Sequence, residues 1–208
     1  MFKTFEIYHE LKKPFRNNYN NFGDKVEYYR SLNIGLNQGH TGQDSVALAK
    51  DGVFHLSIFP IYSGIDGWVY KISVDSKGGW GIELITSEKR LDINDRPYFW
   101  KVRYWHMVKD SFAVKVGQKV GIGDYLGLGD NTGVSQSSHV HRDSKPGDVQ
   151  SDIFIKAFPN NGHFGAVDDR PYLQTMTAYE VRTVLFQTIP ELLQKIAEQV
   201  ANLIKRRR

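Results

Sequence analysis

The amino-acid sequence predicts a mainly β fold that closes in α-helices. Glycine is frequent, at 19 of 208 residues, and aromatics make up 13%, a composition suited to short strands joined by tight turns. Aromatic and β-branched runs alternate or cluster between Asp, Ser, Lys and Gly turns. Beyond residue 176 the apolar spacing switches to the helical period.

The opening stretch, Phe2 to Gln38, is aromatic, basic and Asn-rich, with Pro14 and Gly23 as breakers. It reads as irregular structure with one short strand. From Gly39 to about Phe158 the pattern is β: Gly67 to Val74, Trp80 to Ile85 and Val102 to Val108 each read as a strand. Val114 to Gly127 is cut by glycines, which mark corners where strands leave one sheet for another. In the tail, Thr177-Ala-Tyr-Glu180 and Thr188-Ile-Pro-Glu191 both fit the capping-box pattern. Val181, Val184, Leu185, Ile189, Leu192, Leu193, Ile196, Val200, Leu203 and Ile204 then form an apolar stripe at helical spacing. Pro190 falls in the first turn of the second helix, where its missing N–H costs little. The tail is therefore expected as two helices or one kinked helix. Its stripe is expected to pack on protein, either the body or a second copy, in preference to a membrane surface. Three units follow: residues 1–38 as a segment packed on the body, 39–173 as the main domain, and 174–208 as a helical tail.

Composition narrows the function classes. The net charge is +4, and Lys205, Arg206, Arg207 and Arg208 supply all of it. The body is neutral, so a nucleic-acid partner has little electrostatic support. There is no cysteine, so disulfides and thiolate metal sites are excluded, and any transition metal must be held by His and carboxylate. The stretch Met1 to Glu10 lacks the apolar core of a secretion signal, and no run approaches membrane-spanning length. A protein of this kind acting outside its cell needs another route there.

Four of the seven histidines fall into three clusters. The first, Gly39-His-Thr-Gly-Gln-Asp44, offers His40 and Asp44 across a turn-like link. The second is Tyr104-Trp-His106-Met107. The third is Ser138-His-Val-His141, where residues two apart on a strand point to the same face, so His139 and His141 project side by side. A pair of imidazoles on one face suits a metal ligand beside a proton-transfer group. Two nitrogens and one carboxylate oxygen are the ligand set of many catalytic zinc sites, the fourth position being left for water.

Taken together, these segments resemble the lysostaphin or LytM-type zinc metallopeptidases, whose motifs are His-x-x-x-Asp, a lone His after a strand, and His-x-His, in that order. The connecting phrases also match. They are Pro60-Ile-Tyr with Gly67-Trp-Val-Tyr, the run Val116-Gly-Gln-Lys-Val-Gly-Ile-Gly-Asp-Tyr-Leu-Gly127, and Asn131-Thr-Gly-Val-Ser135. The likeness covers roughly residues 13 to 173. It implies an antiparallel β-sandwich of the duplicated hybrid-motif type with a groove at the metal. It further implies Zn2+ bound by His40, Asp44 and His141, with His106 and His139 as the catalytic imidazoles. The implied activity is a zinc-dependent endopeptidase that cuts peptidoglycan stem peptides or cross-bridges. Its place of action would be the bacterial cell wall, as in lysins of phage or prophage origin. With no His-Glu-x-x-His there is no Glu base of that kind, and histidine, titrating near neutral pH, can serve instead.

The family's His-x-His is usually followed by an aromatic and an acidic residue, whereas Arg142 and Asp143 follow here. Strand alternation puts Arg142 on the face opposite the two histidines, beside Val140. The hairpin from Ser87 to Phe99 is longer than usual and is expected in a groove wall. His9, His55 and His163 read as solvated or core-satisfied, and Trp80, Trp100, Trp105 and Tyr98 are candidates for a cleft lining or for the core. Two competitors remain at this stage. One is a binding or scaffold module that kept the fold and lost catalysis, which the five filled positions argue against. The other is a phosphocarrier or biotinyl-type carrier, which has no need of His40-x-x-x-Asp44.

Overall fold

The computed structural model describes residues 2–32 and 38–205. In chain order the strands are β1 (Ile7–His9), β2 (Phe15–Asn20), β3 (Gln43–Ala47), β4 (Phe59–Tyr62), β5 (Gly67–Asp75), β6 (Gly79–Thr86), β7 (Arg90–Leu91), β8 (Pro97–Met107), β9 (Lys119–Val120), β10 (Tyr125–Gly129), β11 (Val140–Gln150), β12 (Ile153–Lys156) and β13 (Leu173–Thr177). The helices are α1 (Val26–Ser31) and α2 (Ala178–Lys205). The main path of the sheet is β2-β3-β11-β8-β6-β5-β9, antiparallel throughout. Further strands attach beside it: β10 bridges β4 and β8, β12 extends β11, and β7 pairs with β8. The fold is thus mainly β and antiparallel with a C-terminal helix, as expected, and its hydrogen bonds join these strands into one curled sheet.

Alternation divides the sheet into a core face and a groove face. Ile82 and Leu84 on β6 and Val102 and Tyr104 on β8 are fully buried, with Val140 on β11 alongside. The residues between them, Glu83, Arg103 and Asp143, stand opposite one another across the same three strands on the other face. Phe5 stacks on Trp100 at 4.0 Å and closes the apolar side.

Arg142 lies on the core face, as alternation predicts, and is 1% exposed. A guanidinium buried there needs partners. It donates to Glu10 Oε2 at 2.6 Å and, through Nε and Nη2, to the two oxygens of Asp169 at 2.9 and 3.0 Å. Burial works against both charges, but Arg142 still holds the Glu10 carboxyl below its usual range.

Three expectations need correction. The opening stretch carries two strands and a short helix, not irregular structure with one strand. β2 pairs with the edge of β3, and β1 pairs in parallel with β13, so partners distant in sequence order a stretch whose local propensity is weak. The tail takes the single-helix form of the two expected, 28 residues long with Pro190 inside it, and what needs correction there is the start at Thr188. Thr177 and Glu180 form the expected reciprocal cap, Thr177 N–H donating at 2.7 Å and Glu180 N–H donating back to the hydroxyl at 3.0 Å. Thr188 does not start a second helix. Its hydroxyl donates to the Val184 carbonyl at 2.9 Å, a bond made within a continuing helix. The 87–99 hairpin does not line the groove either; β7 pairs with β8 and bridges to Thr4. Arg206, Arg207 and Arg208 lie outside the described residues. No helix among the described residues is long and apolar enough to cross a membrane.

Candidate active site

One rung of the sheet builds the floor of the site. Asn20, Asp44, His141 and Trp105 stand opposite one another across β2, β3, β11 and β8. His40 reaches the rung from the turn before β3, which approaches β11 closely. A Cβ at Gly42 would lie 2.1 Å from the Arg142 carbonyl oxygen, so only glycine lets the two backbones meet.

His106 follows Trp105 and in a regular strand would face the other way. Its φ of 62° breaks the alternation, and both residues line the same groove. Its N–H donates to Gly78 and its carbonyl accepts from Asp130, which anchors the irregular step. His139 precedes β11 and joins His141 in the groove, as their spacing predicts.

The sequence clusters therefore converge. The ligating atoms of His40, Asp44 and His141 all lie within 4.8 Å of one another, and all three residues are buried. Asp44 Oδ1 is 3.1 Å from His40 Nε2 and 3.0 Å from His141 Nδ1. His106 and His139 stand beside them with ring centroids 4.4 Å apart, and His139 Nε2 is 3.6 Å from Asp44 Oδ2.

Three of the four imidazoles are held in the same manner. The Nδ1–H of His40 donates to the Asn21 carbonyl at 3.1 Å, that of His106 to Thr132 at 2.6 Å, and that of His139 to Ser137 at 2.8 Å. With Nδ1 committed to an acceptor, the neutral ring keeps its lone pair on Nε2. His141 presents Nδ1, 2.8 Å from His40 Nε2. Two imidazole nitrogens and a carboxylate oxygen this close require a proton or a cation among them.

Electrostatics agree with that requirement. Burial pulls the His141 imidazolium down, but Asp143 and Asp44 outweigh it and push its pKa up to about 9. Burial also works against charge on Asp44, yet His40 and His141 hold it well below the carboxylate range. For His106 burial dominates, helped by the neighbouring His139, and lowers the pKa to about 3. Burial lowers His139 as well.

Several neighbours carry no signal in the sequence. Asn20 Nδ2 donates to Asp44 Oδ2 at 2.6 Å and fixes the carboxylate. Tyr29 of α1 stacks on His40 at 5.0 Å. Asp143 had one available signal, since alternation puts it on the histidine face. It takes a two-pronged bond from Arg103, whose Nη2 donates at 2.7 Å, and lies 3.6 Å from His141 Nε2. Together with Tyr19, Tyr28 and Lys145 these residues line a groove of about 710 Å³. Of the four candidate aromatics only Trp105 lines it; Trp100 is in the core, while Trp80 and Tyr98 are half-buried elsewhere. His9 is buried in β1 against Phe15, His163 is buried against Phe22, and His55 is exposed.

No family model matches the chain, and no curated protein matches its sequence. Among solved structures, a zinc-containing peptidase from Vibrio cholerae superposes with a TM-score of 0.50 and 21% identity, over 74% of this chain and 40% of that one. The antimicrobial peptidase lysostaphin from Staphylococcus simulans superposes with a TM-score of 0.51 and 18% identity, over 79% of this chain and 52% of that one. The chain thus spans about half or less of the length of these two proteins. The likeness establishes the fold, which is that of the lysostaphin or LytM-type peptidases.

Proposed function

We propose that this chain is a zinc-dependent endopeptidase acting on peptide bonds of peptidoglycan stem peptides or cross-bridges at the bacterial cell wall. One observation carries the reading: His40, Asp44 and His141 converge on a single point while His106 and His139 stand beside it in the same groove. In this reading residues 39–173 are the catalytic unit, 1–38 pack on it and 174–208 are the tail. The curled sheet is then the sandwich of hybrid-motif type that the resemblance implies.

The donor set fits zinc. Two imidazole nitrogens, one carboxylate oxygen and no thiolate are the ligands of a catalytic site with a position open to water. The second shell fits as well, since His40 donates to a backbone carbonyl and Asp44 is anchored by Asn20, the arrangement that orients metal ligands. Bound zinc supplies an activated water and polarises the scissile carbonyl.

The protein's own groups do the rest. Buried and neutral at working pH, His106 and His139 hold unprotonated Nε2 atoms ready to take a proton and pass it to the leaving amine. The Thr132 and Ser137 carbonyls hold the Nδ1–H of both rings, so that the proton is taken and given at Nε2. Trp105 and the tyrosines give an extended peptide a surface to lie against.

The test is incubation of purified walls with zinc-loaded wild type and His139→Ala, following newly released amino termini. Release by wild type and near loss in the variant supports the reading. An inert wild type on walls of several cross-link types contradicts it.

A further inference from the structure

Strand β11 carries the groove face onward from the point where His40, Asp44 and His141 converge. His141, Asp143 and Lys145 alternate on that face, opposite Trp105, Arg103 and Lys101 of β8. Acid and base are matched along it until Lys145. Asp143 holds Arg103 at 2.7 Å, and Glu83 holds Lys101 at 2.9 Å. Lys145 is 4% exposed, yet it lines the groove, and no carboxylate among the described residues lies within ion-pair distance of it. Its ammonium has three N–H donors and one acceptor, the Phe164 carbonyl at 3.0 Å.

The surroundings are cationic. Burial pulls the Lys145 pKa down to about 7; Asp143 pushes back, while Arg103, Lys101 and Lys156 add to the burial. Lys156 of β12 is half-buried, lines the same groove and has no ion-pair partner among the described residues. Its stem lies against Gly165, where a Cβ would come within 2.6 Å of Cδ, next to the carbonyl that anchors Lys145. A buried ammonium costs free energy unless an anion meets it, and a cleft that keeps one is a candidate for an anion from outside.

The groove suits an extended chain, and the anion that a peptide offers is a carboxylate. From His141 to Lys145 the strand rises ~13 Å at ~3.3 Å per residue. An extended peptide advances by nearly the same step, and the lysine stem spans part of the gap. The matching group therefore falls roughly two to four residues from the bond held at the convergent trio.

We propose that Lys145 and Lys156 form a carboxylate-binding subsite, through which the groove selects peptides with an acidic residue near the cleaved bond. The substrate so named, a stem peptide with a free carboxylate, rests on the peptidase reading; the subsite's affinity for a carboxylate does not.

The test is titration calorimetry of the zinc-loaded full chain, with His139→Ala throughout so that no peptide is cut. The probes are a stem peptide with a free glutamate carboxylate and the same peptide amidated at that group. A glutamate-rich peptide unrelated to walls and its glutamine counterpart are run beside them. The carboxylate form is expected to bind about 10–100-fold more tightly than the amide. Lys145→Met is expected to abolish that preference while zinc content and affinity for the amide stay unchanged, and Lys145→Arg to keep it. Should Lys145→Met fail to fold by circular dichroism, Lys156→Met is expected to weaken the preference several-fold. A preference in the unrelated pair without binding of the stem pair keeps the subsite and contradicts the wall reading. No preference in either pair overturns the subsite, as does a preference that survives both methionine substitutions. Lys145→Met that weakens both forms alike assigns the lysine to holding Phe164 and overturns it equally.

Discussion

At the residue scale, the site is a set of imidazoles whose tautomers are chosen by their acceptors. On the proposed reading His106 and His139 lie outside the ligand trio, so replacing either by alanine should leave metal content intact and lower turnover by about 10²–10⁴-fold. Metal analysis beside an activity assay separates this outcome from loss of the site. Asn20→Ala should do the reverse in part: without its 2.6 Å bond the Asp44 carboxylate is free to turn. Metal affinity should fall about 10–100-fold, as read by competition with a chelating dye. Protons compete with the metal at His141, whose pKa stands at about 9 in the metal-free protein. Metal affinity should therefore rise with pH across the neutral range, and titration calorimetry in buffers of different ionisation heat should show proton release.

At the element scale, the site depends on how strands meet. Gly42 was legible as part of a turn, but its physical role is the close approach of two backbones. Gly42→Ala sets a Cβ against the Arg142 carbonyl and should separate β3 from β11, reducing metal occupancy while both ligands of the motif remain in the sequence. Circular dichroism and metal content together check this. The His-x-His pair and the position of Arg142 followed from strand alternation alone. The orientation of His106 did not, because the left-handed residue that turns it into the groove leaves no mark in a periodicity. Nor did the order of the opening stretch, since β1 and β2 are held by β13 and β3. Which of the two expected forms the tail takes stays open in the sequence for a local reason. The capping pattern at Thr188 suits either a new helix or a hydroxyl bonded to the preceding turn, and the structure takes the second.

At the scale of the whole molecule, Arg142 is the tie between chain ends and sheet. Its partners Glu10 and Asp169 are 132 and 27 residues away, a distance no motif encodes. Arg142→Met leaves two buried carboxylates without a cation and should cost about 3–5 kcal/mol of stability, measured by denaturant unfolding. Stability of the metal-free protein should also fall on acidification below a pH of about 6.5, the usual histidine value. Above it two buried groups oppose each other. The unfolded chain sheds the His141 proton that the fold keeps up to about 9, which lowers stability. Lys145, pulled down to about 7 by burial, is already neutral in the fold when the unfolded chain still holds its proton, so that its penalty is relieved as pH rises. Below it, the unfolded chain protonates His9 and His106 before the fold can, since burial lowers them to about 4 and about 3. Further acid then removes what the depressed carboxyls of Glu10, Asp44 and Asp143 contribute. A series of melting curves against pH traces the acid flank. The central claim, a single cation shared by three buried side chains, is tested most directly by zinc stoichiometry after dialysis against buffered zinc. The expected result is one zinc per chain in wild type, His106→Ala and His139→Ala, with loss in His141→Ala. Zinc-free wild type, or His141→Ala that keeps zinc with undiminished affinity, would contradict the account.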